Sequence, residues 1–363
     1  MSGITNQSRM DLDRLTCVQW YCMVYQDATV EFLIFDVWCF VSLLHKKYGV
    51  MANQSEVTPF FPRVIAALPT PCKEAGVVDP EGMTRLSQEV SRRGCDGLFV
   101  LGSTGEMVLI DEDDRRPLTV AARTGGGDNI QVLVGIGGFG AKQAIRYARM
   151  AADDQADVAV AMAPFFQVLG QSELIEHFER IADKSPIPIG IYHHLRMTTS
   201  FTVETIAQLS RHPNIVAYKD TSADPKRLQE IINATAGTAF HIYQGNEPLL
   251  LESMNGGAYG CVSALATISP EWHRELIDAA VRGDLALAEH YQKQLNRLVA
   301  LFRISGVRTS LSHFVHTLKV GAVHQGWLTS AASLLPGFQP TVEFEDAIQK
   351  VLNEVLVEPL EIR

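Results

Sequence analysis

The segment spanning residues 130–164, IQVLVGIGGFGAKQAIRYARMAADDQADVAVAMAP, carries the pattern that decides the fold. It opens and closes with apolar runs of strand length, IQVLVGIG from Ile130 and VAVAMAP from Val158, around an amphipathic stretch at 142–152. The runs are continuous, not alternating, as expected of parallel strands covered by helices. One βαβ unit is predicted here.

The same rhythm extends in both directions. Upstream lie VIAALPTP from Val64 and GLFVLG from Gly97; downstream lie IPIGIYH from Ile187, IVAYKD from Ile215, FHIYQG from Phe240 and YGCVSA from Tyr259. The eight runs start about 19 to 33 residues apart, and helical patterns fall at 80–93, 111–122, 172–184, 202–211 and 225–234. Eight such units predict an α/β fold of the (β/α)8 TIM-barrel type. An open doubly wound sheet is the alternative, but it usually has fewer strands and no strand-linked GxGxxG is present. Gly135-Ile136-Gly137-Gly138 reads as a tight turn. Helical patterns at 270–282, 285–302, 306–320 and 342–355 exceed what a barrel needs and predict a C-terminal helical appendage.

Composition narrows the function classes. Of the 363 residues 47% are apolar and 20% charged, which is a soluble globular composition, and a net charge of −10 argues against nucleic acid or an anionic membrane as partner. Cys17, Cys22, Cys39, Cys72, Cys95 and Cys261 form no CxxC pair and no metal spacing, so they read as reduced thiols of a cytoplasmic protein. The first fifty residues differ from the rest: they are aromatic-rich, lack a clear period, and their charge-free run at 15–26 is too short to cross a membrane. Acidic residues interrupt any signal-peptide pattern there. The expected organisation is an N-terminal extension at 1–58, poorly ordered or an over-long gene start, a barrel at 59–282 and a helical region at 283–363.

In a (β/α)8 barrel the chemistry sits at the carboxyl ends of the strands. The second strand ends in Gly102-Ser103-Thr104-Gly105-Glu106, where two hydroxyls and backbone amides between glycines suit a carboxylate, although Ser103 or Thr104 could instead cap a helix. The fifth strand ends in Tyr192, a residue able to relay a proton or simply to pack at the rim. His193 and His194 follow, but strand neighbours point to opposite faces and no third ligand stands at a fixed spacing, so no metal is expected. The sixth strand carries Lys219 within an apolar run. A desolvated, inward-facing lysine supplies the amine of a Schiff-base enzyme, while a lysine snorkelling from a strand end is the plainer alternative. Carboxylate receptor, phenol and lysine together describe a site for a 2-oxo acid.

GSTGE at 102–106, Tyr192, VAYKDTSAD from Val216 and QGNEPLLLESMNGGAYGCVSALATISP from Gln244 resemble the dihydrodipicolinate synthase and N-acetylneuraminate lyase family over about residues 60–325. The resemblance implies class I aldolase chemistry without metal or organic cofactor. Lys219 would form an imine with pyruvate or a related 2-oxo acid; Tyr192 and Thr104 would join it as catalytic residues. Ser103, Gly102 and Gly105 would hold the carboxylate, with Arg196, Gly245, Glu247 and Ser263 lining the remainder of the substrate site. It also implies a homo-oligomer, a tetramer or a dimer. Two departures stand out: Tyr192-His193-His194-Leu195 replaces the common Tyr-Asn-x-Pro, with a one-residue deletion before Lys219, and Phe165-Phe166 replaces the tyrosine pair of the synthases. A sugar-acid or other 2-oxo-acid aldolase is therefore expected ahead of a dihydrodipicolinate synthase, and that ahead of a dehydratase or deaminase. A non-catalytic carboxylate-binding barrel is the reading from another class.

Overall fold

The computed structural model describes residues 61–137, 140–194, 196–304, 310–335 and 338–356. The expected extension at 1–58, Gly138, Leu195 and the expected helix start at 306 lie outside these residues.

Eight parallel strands close into a barrel: β1 (Val64–Ala67), β2 (Gly97–Val100), β3 (Gln131–Gly135), β4 (Val158–Ala161), β5 (Ile189–His194), β6 (Ile215–Thr221), β7 (His241–Gln244) and β8 (Gly260–Ser263). β1 pairs with both β2 and β8, so the open doubly wound sheet is ruled out. Each apolar run of the sequence supplies one strand. A strand buried on both faces has no solvent side to populate with polar residues, and β1, β2, β4 and β8 are buried at every position. The pleat then divides each run. Ile65, Phe99, Leu133, Val160 and Val262 fill the barrel, whereas Val64, Leu98, Val100 and Val134 face the helices.

The helices of the barrel are α1 (Pro80–Arg92), α2 (Glu112–Gly126), α3 (Ala141–Asp153), α4 (Gln171–Ala182), α5 (Val203–Leu209), α6 (Pro225–Ala234), α7 (Leu250–Asn255) and α8 (Pro270–Arg282). Chain chemistry marks several ends. α6 and α8 start with proline; the Asp224 carboxylate accepts the Arg227 amide at 3.0 Å, and Gly283, at φ 77°, terminates α8 in the left-handed region. α5 stops at Leu209, short of the expected 211, where the Ser210 amide donates to Ile206. α7 has six residues, too few to show a helical period, and escaped the sequence reading, as did a short hairpin of Cys72–Glu74 with Val77–Val78.

Beyond α8 run α9 (Leu285–Val299), a 3₁₀ turn (Ala300–Arg303), α10 (Leu311–His324) and α11 (Val342–Val355). α10 begins where the Ser310 hydroxyl accepts the His313 amide, and it continues past the expected end at 320 because Gly321 and Ala322 pack inside. Leu295, Leu318, Ile348 and Leu352 share one core with Val64, Leu86 and Leu98 of the barrel. Each such side chain contributes about 1.5–3 kcal/mol on burial, so these helices are bound to the barrel by apolar area. No helix among the described residues is long and apolar enough to cross a membrane.

Candidate active site

β5 and β6 place two of the candidate site residues next to each other. Tyr192 and Lys219 are register partners on adjacent strands, so their side chains emerge from the same face, into the barrel mouth. The intervening residues turn outward: His193 meets the Tyr218 hydroxyl at 3.1 Å, and Arg227 pairs with Asp220 at 2.6 Å behind the sheet. The two adjacent histidines thus serve different faces.

Lys219 is 7% exposed, and its Nζ lies 4.3 Å from the Tyr192 ring centroid and 5.4 Å from that of Phe99. Among the described residues no carboxylate pairs with it. Ring faces return only about 0.5–2 kcal/mol to a cation, whereas a buried charge without a partner costs several times that, so this amine is held in an unbalanced setting. Gly245 makes room for it: a Cβ at that position would stand 2.8 Å from Lys219 Cε.

The loop after β2 enters and leaves through residues in the left-handed region, Leu101 at φ 54° and Glu106 at φ 56°. Conformations of this kind cost of order 1–3 kcal/mol each and persist only where neighbours enforce them. Here Thr70 Oγ1 donates to the Gly105 carbonyl at 2.7 Å, and the Glu106 carboxylate accepts Lys319 Nζ at 3.1 Å and Ser333 Oγ at 3.3 Å. The enforced loop sets Ser103 Oγ 3.0 Å from the Tyr192 hydroxyl. Neither Ser103 nor Thr104 is a cap, since the following 3₁₀ turn, Met107–Leu109, is preceded by Glu106. The hydroxyl in contact with the phenol belongs to Ser103; Thr104, expected as the catalytic member, lines the cavity beside it.

That cavity, about 450 Å³, is lined by Ser103, Thr104, Tyr192, His194, Arg196, Lys219, Gly245 and Glu247. Gly102, Gly105 and Ser263 are not in its lining. Gly102 packs against Phe99, where a Cβ would come within 2.6 Å of the ring, and the Ser263 hydroxyl donates to Glu247 Oε1 at 2.8 Å. The same carboxylate oxygen accepts the amides of Ala264 at 3.1 Å and Leu265 at 3.4 Å, so Glu247 knots the ends of β7 and β8 together. Arg196 stands at the exposed rim. Burial, aided by the charges of Lys219 and Arg196, lowers the His194 pKa to about 4. Burial pushes the Tyr218 hydroxyl far above its usual range and His193 below its own.

Sequence reading missed Thr221, Asn246, Phe302, Leu311 and Phe314, which also line the cavity. The first two adjoin motif residues and were within reach. The last three come from the C-terminal region and carry no local signal. The expected second departure is visible: Phe165 packs with the barrel interior, while Phe166, at φ 69°, is 85% exposed.

A (β/α)8 barrel with lysine, tyrosine and a hydroxyl-bearing loop converging at its carboxyl mouth defines a lyase of the class I aldolase type. The chain belongs to the dihydrodipicolinate synthetase family, whose profile matches residues 60–354. It is 29% identical over 302 residues to the 4-hydroxy-tetrahydrodipicolinate synthase of Haloarcula marismortui, covering 83% of this chain and 96% of the relative. The dihydrodipicolinate synthase of Aquifex aeolicus superposes with a TM-score of 0.73 at 29% identity, over 81% of this chain and 98% of that one. A prophage protein of the same family from E. coli K12, solved in complex with pyruvate, gives a TM-score of 0.76 at 25% identity, over 82% and 99% of the two chains.

Proposed function

We propose that this protein makes or breaks a carbon–carbon bond of pyruvate or a related 2-oxo acid through an imine on Lys219. The observation that carries this reading is the buried Lys219 amine, with no carboxylate partner among the described residues, 4.3 Å from the Tyr192 ring in a cavity that also contains Ser103 and Thr104. Neutral Nζ adds to the C2 ketone, and loss of water leaves an imine whose protonated form draws electrons from C3. In the cleavage direction the C3–C4 pair flows into the iminium, giving an enamine. The C4 hydroxyl loses its proton as an aldehyde departs, and protonation of C3 followed by hydrolysis returns pyruvate and the free lysine. Condensation runs the same steps in reverse. The electron sink is the imine itself, so the cycle requires no metal or organic cofactor.

Tyr192, hydrogen-bonded to Ser103, is the group that takes and returns the proton; Ser103 and Thr104 receive the carboxylate. Arg196, Gly245 and Glu247 bound the space for the departing or entering aldehyde, with Ser263 behind Glu247. Residues 59–282 carry this chemistry, and the helical region 283–363 closes one wall. The protein acts as a homo-oligomer, a tetramer or a dimer, for which the exposed Phe166 and Val168 suit a contact. Buried, unpaired Cys72, Cys95 and Cys261 suit the cytoplasm.

A second reading, 4-hydroxy-tetrahydrodipicolinate synthase, is favoured by the names of the curated relatives. Phe166, where synthases have a tyrosine, weighs against it because it has no hydroxyl to relay with. Intact mass after borohydride reduction with pyruvate tests the leading reading. A pyruvyl adduct mapping to Lys219 is expected; unmodified protein after pyruvate and a panel of longer 2-oxo acids would overturn it. Consumption of aspartate semialdehyde ahead of other aldehydes would select the second reading.

A further inference from the structure

His194 has no part in the chemistry above, yet it lines the cavity on the same strand face as Tyr192. Two residues along a strand advance about 6.6 Å, so His194 stands one pleat nearer the mouth than the phenol. Its reach is therefore to atoms beyond the bond being made or broken, and not to the pyruvoyl part held by Lys219, Ser103 and Thr104.

Hydrogen bonding defines its tautomer. The Arg196 backbone N–H donates to His194 Nδ1 at 3.1 Å, which requires a lone pair on Nδ1 and leaves the proton of a neutral imidazole on Nε2. The turn is fixed on its other side as well: the Met197 amide donates to the His194 carbonyl at 3.0 Å, and the His194 amide to Met197 Sδ at 3.2 Å. The imidazole stands edge-on to Tyr192 at 5.8 Å between ring centroids. A pKa lowered to about 4 by burial, Lys219 and Arg196 agrees with a neutral ring. Nε2 bonds no group among the described residues, which leaves an N–H donor free on a residue that lines the cavity. Elsewhere in the lining, Glu247 Oε1 accepts from Ser263 and from two amides. Arg196 adds a guanidinium at the exposed rim of the same cavity.

We infer that His194 is a specificity-determining donor that recognises an oxygen carried beyond C4 of the 2-oxo acid, a hydroxyl or a carboxylate, and that with Arg196 it disfavours an amine there. This rests on the imine reading, whose own failure is detected separately by the absence of a pyruvate adduct in the wild-type protein.

The experiment measures condensation of pyruvate by the full chain with propanal, glyceraldehyde, succinic semialdehyde and aspartate semialdehyde. The last two differ by one amine. Wild-type kcat/KM is expected to be higher for glyceraldehyde and succinic semialdehyde than for propanal, and higher for succinic than for aspartate semialdehyde. In His194→Leu the preference for the oxygenated aldehydes over propanal should fall about tenfold, mainly through KM, as expected for one lost hydrogen bond. His194→Gln, which restores a donor, should recover part of it. A wild-type preference for the amine-bearing aldehyde, or a His194→Leu variant that forms the pyruvate adduct with its preference intact, would overturn the inference. The wild-type ratios test it even if the leucine variant does not fold.

Discussion

Lys219 and Lys319 are both withdrawn from solvent, at 7% and 0% exposure, but their surroundings differ in one respect. Lys319 lies in α10 with Glu106 at 3.1 Å, the Ala332 carbonyl at 2.7 Å and Cys72 Sγ at 3.6 Å. Its charge is answered on several sides. Lys219 has aromatic faces and an open cavity instead, and no carboxylate among the described residues. The difference is the setting and not the burial: among the described residues Lys219 has no counter-charge and stands beside space for a ligand, the setting the proposed imine chemistry needs. The two are also connected, since Lys319 holds the carboxylate of Glu106 and so braces the loop that presents Ser103 to Tyr192, the register partner of Lys219.

Breaking the reactive side of the comparison should give the largest effect. Lys219→Ala should abolish the borohydride-trapped pyruvate adduct and all detectable turnover while changing stability little, because no ion pair is lost; intact mass and thermal melting check both halves. Tyr192→Phe should lower kcat by about 10²–10⁴-fold, the usual worth of a positioned acid–base group, yet still form the adduct. Steady-state and single-turnover rates separate these steps.

The structural side predicts a different kind of failure. Lys319→Met leaves Glu106 buried and unpaired and should cost about 3–5 kcal/mol of stability in urea unfolding. Adding Glu106→Gln removes the orphaned charge and should recover at least half of that loss. Were Lys319→Met as stable as wild type, the contrast between the lysines would collapse. The smallest effect should come from Ser103→Ala, which deletes one hydrogen bond to the phenol and should reduce kcat about threefold to tenfold. The adduct yield at saturating pyruvate reports whether that loss lies in proton transfer or in binding.

Much of this was legible from residues 64 onward. Six of the eight strands fall within the apolar runs and β5 and β6 end one residue beyond theirs, at His194 and Thr221; α6 and α8 have the expected limits, since Pro225, Pro270 and Gly283 punctuate the chain by local sterics. The chemistry-bearing motif residues Ser103, Tyr192 and Lys219 meet at one cavity. Other features could not be read locally. α7 is too short for a period, and nothing near Glu106 announces Lys319, because an ion pair between distant segments leaves no spacing in the sequence.

The sequence by itself determined the barrel and singled out the candidate site residues, because strand and helix periods, turn residues and an amine within an apolar run are properties of neighbours along the chain. Tertiary structure decided which hydroxyl meets the phenol, which face each adjacent histidine serves, and that among the described residues one lysine has a carboxylate partner and the other has none. Those outcomes depend on distances between segments brought together only by closure of the barrel and packing of the C-terminal helices.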